Sequence, residues 1–123
     1  MKILIVEDED ILRNVLQEKF EEENFIVSVA QNGKIALSLA KKFKPDIILL
    51  DILLPEVDGI EVLTSLKADD ELSSIPIIML SNLSEDQKIR QALELGAIDY
   101  LVKSQHPINE VVEKVNKYIL KAK

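Results

Sequence analysis

Five short apolar runs alternate with five longer segments in which apolar residues recur every three or four positions, and that alternation leaves few folds open. The runs are residues 2–6 (KILIV), 25–30 (FIVSVA), 46–50 (DIILL), 75–80 (IPIIML) and 99–103 (DYLVK). Their length and β-branched content read as strands, and the runs without polar alternates read as strands buried on both faces. Between them, Leu12, Val15, Leu16 and Phe20 form one helical stripe, and Ala36, Leu39, Ala40 and Phe43 form a second. Ile60, Leu63 and Leu66, then Ile89, Ala92 and Leu93, then Val111, Val112, Val115 and Ile119 complete five helices. A (βα)5 alternation of this kind predicts a doubly wound α/β fold, a parallel sheet with helices on both faces. Punctuation agrees: Asp10 is expected to cap the first helix, Asn24 to end it in the left-handed conformation, and residues 84–87 (SEDQ) to form a capping box. Gly96 closes the fourth helix and Pro107 suits the first turn of the fifth.

Composition narrows the function. At 123 residues with 47% apolar content, the chain is expected to form one domain over residues 1–123, with no second domain, linker or repeat. A net charge of -7 argues against direct nucleic-acid binding, which depends on Lys and Arg neutralising phosphates. The absence of Cys excludes a disulfide framework, a thiolate nucleophile and Cys-based zinc sites. No apolar stretch approaches the length of a membrane span, and the first run leads straight into EDED, so no membrane partner and a cytoplasmic location are expected.

In such a sheet, ligands bind outside the carboxyl ends of the strands, where the strand order reverses. Glu7 and Asp8 follow the first run, Asp51 the third and Ser81 the fourth, while Lys103 ends the fifth, so the fold gathers these five polar residues on one rim. Clustered carboxylates resist ionisation unless a cation neutralises them, and oxygen ligands with room for water suit Mg²⁺, with Mn²⁺ as a substitute. A carboxylate held beside such a metal is a nucleophile toward a phosphoryl group, with a lysine ammonium absorbing charge on the transferring oxygens. Asp51 is then the phosphate carrier. Any one of these residues alone reads more simply as a cap or a solvated charge; their convergence carries the inference.

The chain resembles the receiver domain of two-component response regulators over almost its whole length. ILIVEDE (3–9) resembles the family's first strand and acidic pair, and DIILLDILLPEVDG (46–59) its phosphoacceptor segment. IIMLSN (77–82) resembles the segment with its hydroxyl residue, and GAIDYLVK (96–103) its last strand with switch aromatic and lysine. The resemblance implies a flavodoxin-like sheet in the order 2-1-3-4-5. It implies that Asp51 accepts a phosphoryl group from a histidine kinase or histidine phosphotransfer protein. Asp8 and Asp51 then hold Mg²⁺ directly, Glu7 through water, and Leu53 through its backbone carbonyl. Ser81 and Lys103 bind the phosphoryl group, and Tyr100 changes between outward and inward rotamers as Ser81 moves. Pro55 and Gly59 shape the loop after Asp51, with Gly59 expected to adopt a backbone conformation closed to other residues. Such a chain is a switch rather than an enzyme with turnover, a monomer or a phosphorylation-promoted dimer, and with no output domain expected its output lies in a separate downstream protein.

Three departures from the family pattern are visible. Ser104 stands where Pro usually follows the lysine, so the peptide there is either trans or a cis bond held by tertiary constraint, at about 2.5–4 kcal/mol. Asn82 replaces a small residue and narrows the approach of a phosphodonor. Leu53 and Leu83, two beyond Asp51 and two beyond Ser81, are apolar and would shield an acyl phosphate from water, slowing self-dephosphorylation. His106, beside Pro107, reads as a surface or capping residue, and Lys41, Lys42 and Lys44 as cations complementing a helix dipole. Competing functions are a phosphorylation-independent pseudo-receiver, an aspartate-type phosphohydrolase and a flavin protein. The phosphohydrolase lacks a second Asp at position 53, and EDED after the first strand would repel a flavin phosphate.

Overall fold

The computed structural model describes the backbone of residues 1–122 and the side chains of residues 1–120. Strands β1 (Lys2–Val6), β2 (Ile26–Ala30), β3 (Ile47–Leu50), β4 (Ile77–Ser81) and β5 (Asp99–Val102) alternate with helices α1 (Asp10–Glu22), α2 (Gly33–Phe43), α3 (Gly59–Ala68), α4 (Asp86–Glu94) and α5 (Ile108–Ala122). All pairings are parallel, in the order β2-β1-β3-β4-β5. The order reverses between β1 and β3, which places the switch point above those two strands.

The absence of polar alternates in the central strands has a direct cause. Ile3, Ile5, Ile47, Leu49, Ile78, Leu80 and Leu101 point to one face and pack against Leu16 and Phe20 of α1 and Val111, Val112, Val115 and Ile119 of α5. Their neighbours Leu4, Val6, Ile48, Leu50, Ile77, Met79 and Val102 point to the other and pack against α2, α3 and α4. Both faces of the sheet are therefore core.

Several boundaries differ from expectation. β4 starts at Ile77 because Pro76 has no amide to donate; its carbonyl instead accepts from Ile48 N. Asp10 does not cap α1: Glu9 precedes the helix, and the Asp10 carboxylate is taken by Arg13. The capping box at 84–87 does not form, since Glu85 occupies the cap position and Ser84 lies one residue too early. The side-chain caps that do form are Asn32, accepting from Ile35 N, and Asp58, accepting from Glu61 N. Asn24 (φ 68°) and Gly96 (φ 110°) take the left-handed positions expected of them. Val15 and Leu93, placed in the helical stripes, lie exposed. Pro107 immediately precedes α5, where its carbonyl accepts from Val111 N.

Candidate functional site

The strand ladder itself positions the acidic residues. One rung beyond the strands, Glu7 N donates to Ala30 O at 3.0 Å, Asp51 N to Val6 O at 3.1 Å and Lys103 N to Ser81 O at 2.9 Å. These bonds fix the backbones of Glu7, Asp51 and Lys103 on the carboxyl rim, Glu7 and Asp51 at the switch point and Lys103 at the end of the edge strand β5. Glu7 is 2% exposed and Asp51 3%, while Asp8 is open to solvent. Oxygens of Glu7, Asp8 and Asp51 all lie within 4.8 Å of one another.

Lys103 reaches into this group, with Nζ 2.6 Å from Glu7 Oε1 and 2.8 Å from Asp51 Oδ2. Burial by itself would lower the pKa of the ammonium, but the bonds to Asp51 and Glu7 outweigh it and hold the group above its ordinary value. Burial pushes the Glu7 carboxyl up, and the Asp51 charge adds to this, against the pull of Lys103 and the Glu9 amide. With all three acids ionised, one lysine leaves two negative charges unbalanced. A hard divalent cation fits that donor set, because it balances the charge and takes carboxylate oxygens.

The loop after Asp51 closes around its peptide. Asp51 Oδ1 accepts from Leu53 N at 3.2 Å, and Ile52 O accepts from both Leu54 N and Gly59 N at 2.9 Å. Pro55 O accepts from Val57 N at 2.8 Å, so the tight reversal falls on Glu56, whose φ is 66°. Gly59 is not in the left-handed region; it opens α3. The expectation of a special conformation there is wrong, and the requirement is steric: a Cβ on Gly59 would lie 2.0 Å from the Asp51 carbonyl oxygen.

Ser81 is fully buried at the end of β4, and its Oγ accepts from Leu83 N at 3.4 Å. Tyr100 is turned inward, and its hydroxyl donates to Leu83 O at 2.6 Å. Burial raises the phenol pKa, against the pull of the neighbouring Ser81 hydroxyl. Ser81, Leu83 and Tyr100 thus form one connected group at the rim. Leu83 is half-buried against the core, while Leu53 is 53% exposed, and Asn82, which precedes Leu83, is exposed. The chain has no cis peptide among the described residues, so the Lys103–Ser104 bond is trans. His106 Nδ1 lies 3.1 Å from Val102 O, a local contact at the entry to α5.

A sheet of this order, with an acidic pair, a central Asp, a hydroxyl and a lysine on its carboxyl rim, defines a class of signalling domain. The chain belongs to the response regulator receiver domain family, whose model matches residues 3–116. It is a receiver domain of a two-component system. Over 114 residues it is 44% identical to the transcriptional regulatory protein SrrA of Staphylococcus aureus, covering 93% of this chain and 46% of SrrA. The chain thus spans about half the length of the curated relatives it matches. It is similar to the receiver domain of the Francisella response regulator 1452, with a TM-score of 0.90 and 32% identity over 99% of this chain and 98% of that one. It also resembles the Mn²⁺-bound form of the response regulator Rcp1, with a TM-score of 0.79 and 27% identity over 89% of this chain and 85% of that one. Among the described residues, no helix is long and apolar enough to cross a membrane.

Sequence reading named every one of these rim residues but missed Arg13, which binds the acidic loop, and Gly33, whose missing Cβ makes room for Val57 O and Val62. Arg13 carried a signal in its spacing, one helical turn after Glu9, where a side chain can reach back over the loop.

Proposed function

We propose that Asp51 is the phosphoacceptor of this receiver domain, charged in a Mg²⁺-dependent reaction by a histidine kinase or histidine phosphotransfer protein. The observation that carries the reading is the placement of the buried Asp51 carboxylate against Lys103 and within 4.8 Å of the oxygens of Glu7 and Asp8. One Asp51 oxygen bonds to phosphorus as the P–N bond of the donor phosphohistidine breaks, and the imidazole, protonated on its other ring nitrogen, departs as the neutral base. Lys103 pairs with the phosphoryl oxygens, and the Ser81 hydroxyl donates to another of them. Glu7, Asp8, Asp51 and the Leu53 carbonyl would hold Mg²⁺, with Mn²⁺ as a substitute. When bound, the metal supplies neutralisation of the charge on the transferring oxygens. The domain promotes only its own phosphorylation and dephosphorylation and is not an enzyme with turnover.

The output follows from the group formed by Ser81, Leu83 and Tyr100. A Ser81 hydroxyl drawn to the phosphoryl group changes the surroundings of the Tyr100 phenol, which biases the face built from β5 and α4 toward a downstream output protein. Donor docking is supported by Ile11, 82% exposed on α1 next to the acidic loop, with Val15 exposed one turn on.

The test is intact mass after incubation with Mg²⁺ and a small acyl-phosphate donor, beside Asp51→Asn and a chelated control. The expected result is a single phosphoryl adduct that both controls lack. No adduct from that donor or from a panel of histidine kinases would replace this reading with a phosphorylation-independent binding module.

A further inference from the structure

Arg13, in the first turns of α1, turns its guanidinium back over the acidic loop. Nη1 donates to Glu7 O at 3.0 Å and to Asp8 O at 3.4 Å, while Nη2 pairs with Asp10 Oδ1 at 2.5 Å. The arginine side chain is 13% exposed and that of Asp10 80%, so the guanidinium is seated on the loop and its ion pair is peripheral. The two carbonyls belong to two of the three residues of the acidic cluster. The Glu7 carboxylate is fixed independently by Glu9 N and Lys103. Among the described residues, no hydrogen bond or ion pair holds the exposed Asp8 carboxylate, so its position depends on the peptide that Arg13 grips.

We propose that Arg13 is a positioning residue for the metal site: its guanidinium clamps the Glu7 and Asp8 peptides so that the Asp8 carboxylate is presented to a divalent cation shared with Glu7 and Asp51. This rests on the metal-dependent reading above. The planar fork suits the task, since one side chain spans two successive carbonyls and a neighbouring carboxylate, which a lysine ammonium does not. The sign of the effect separates clamp from charge. A positive group beside a cation site repels the cation, so if Arg13 acted only through its charge, removing that charge would tighten metal binding. A clamp predicts the opposite.

The experiment titrates Mn²⁺ into metal-free protein and reads the free ion by electron paramagnetic resonance, with Mg²⁺ as competitor. Arg13→Lys keeps the charge and loses the fork, Arg13→Gln loses both, and Asp10→Asn removes only the exposed ion pair. Both arginine variants are expected to weaken Mn²⁺ binding about tenfold at unchanged stoichiometry. Asp10→Asn is expected to stay within about twofold of the wild type. Faster amide hydrogen exchange at residues 7–9 in the metal-free arginine variants is expected alongside. A merely structural role would lower the number of competent sites with no change in their affinity, and would overturn the proposal. So would an Arg13→Lys protein that binds as the wild type does, or an Arg13→Gln protein that binds more tightly. A wild type that binds no Mn²⁺ or Mg²⁺ would sink the metal reading instead, and the exchange measurement would still decide whether Arg13 holds the loop.

Discussion

Replacing Gly59 with Ala tests the packing on which the site depends, because two ordinary effects predict opposite signs. Gly59 opens α3 with a φ outside the left-handed region, so Ala meets no conformational penalty there, and Ala is the better helix former by up to about 1 kcal/mol, the value for a helix interior. On propensity alone the variant should be more stable. Against this, its Cβ would stand 2.0 Å from the Asp51 carbonyl oxygen, 2.7 Å from the carbonyl carbon and 2.6 Å from Ile52 Cα. Real Cβ atoms do not approach closer than 3.0 Å, so α3 and the Asp51–Ile52 peptide must part by about 1 Å. All three contacts are backbone, with no flexible side chain to give way. The movement also strains the Gly59 N to Ile52 O bond of 2.9 Å. Overpacking with a weakened hydrogen bond costs about 3 kcal/mol, which leaves a net loss of about 2 kcal/mol. For a domain of this size that is roughly 8 °C in Tm. Urea and thermal unfolding followed by circular dichroism measure it. Because the displaced peptide carries Asp51, phosphorylation from a small acyl-phosphate donor should also slow by about 100-fold. A Gly59→Ala protein as stable as the wild type or more so would refute the close approach.

Other substitutions probe separate parts of the structure. Lys44 ends α2 at φ 52°, ψ 63°, so Lys44→Gly should stabilise the fold by about 0.5–1 kcal/mol in urea unfolding; a loss would contradict the strain. Tyr100→Phe leaves Leu83 O without its 2.6 Å donor and should cost about 1 kcal/mol by the same measurement, whereas an unchanged midpoint would mean that the bond contributes nothing. Burial raises the Glu7 pKa, so folded Glu7 keeps its proton where unfolded Glu7 has lost it. The stability of metal-free wild type relative to Glu7→Gln should therefore fall as pH rises from about 4.5 through the folded pKa and then level off, and a difference that grows over this window would reverse the sign. Replacing Leu53 and Leu83 together with Asn should speed loss of the phosphoryl group several-fold in a mass-detected decay, and a rate unchanged or slower would remove the shielding role.

The fold was legible because burial on both faces of a sheet leaves a mark in composition. KILIV, DIILL and IPIIML carry almost no polar residue, as a short strand in a sheet with helices on each side requires, and the helical stripes between them supply those helices. The strand order was not legible from periodicity, since the spacing of runs says nothing about which strands are neighbours; it came from the family resemblance. Helix starts were read less well than helix stripes. Asp10 and Ser84 have the chemistry of caps, but capping also needs an extended backbone at the right residue, and Arg13 competes for the Asp10 carboxylate. Asn32 and Asp58 satisfy both conditions, and only the chain path makes that evident.

At the site, the residue types that chemistry requires were legible, while the backbone that holds them was not. Glu7, Asp8, Asp51, Ser81 and Lys103 follow from one rule about strand ends, and the ladder bonds of Glu7, Asp51 and Lys103 to strands next to their own are the physical content of that rule. Gly59 shows the limit. Its identity pointed to a special conformation, the commonest reason for a glycine in a loop, but the structure assigns the strained turn to Glu56 and leaves Gly59 a purely steric task. Arg13 shows the same limit from the other side: a charged residue on an amphipathic helix reads as a solvated face until the loop beneath it supplies two carbonyls. The positioning contacts of both residues are with peptide groups, and peptide groups are identical at every position in a sequence. What sequence hides in such a site is therefore the set of residues that position the backbone, and these are the residues whose substitution would move a carboxylate without removing one.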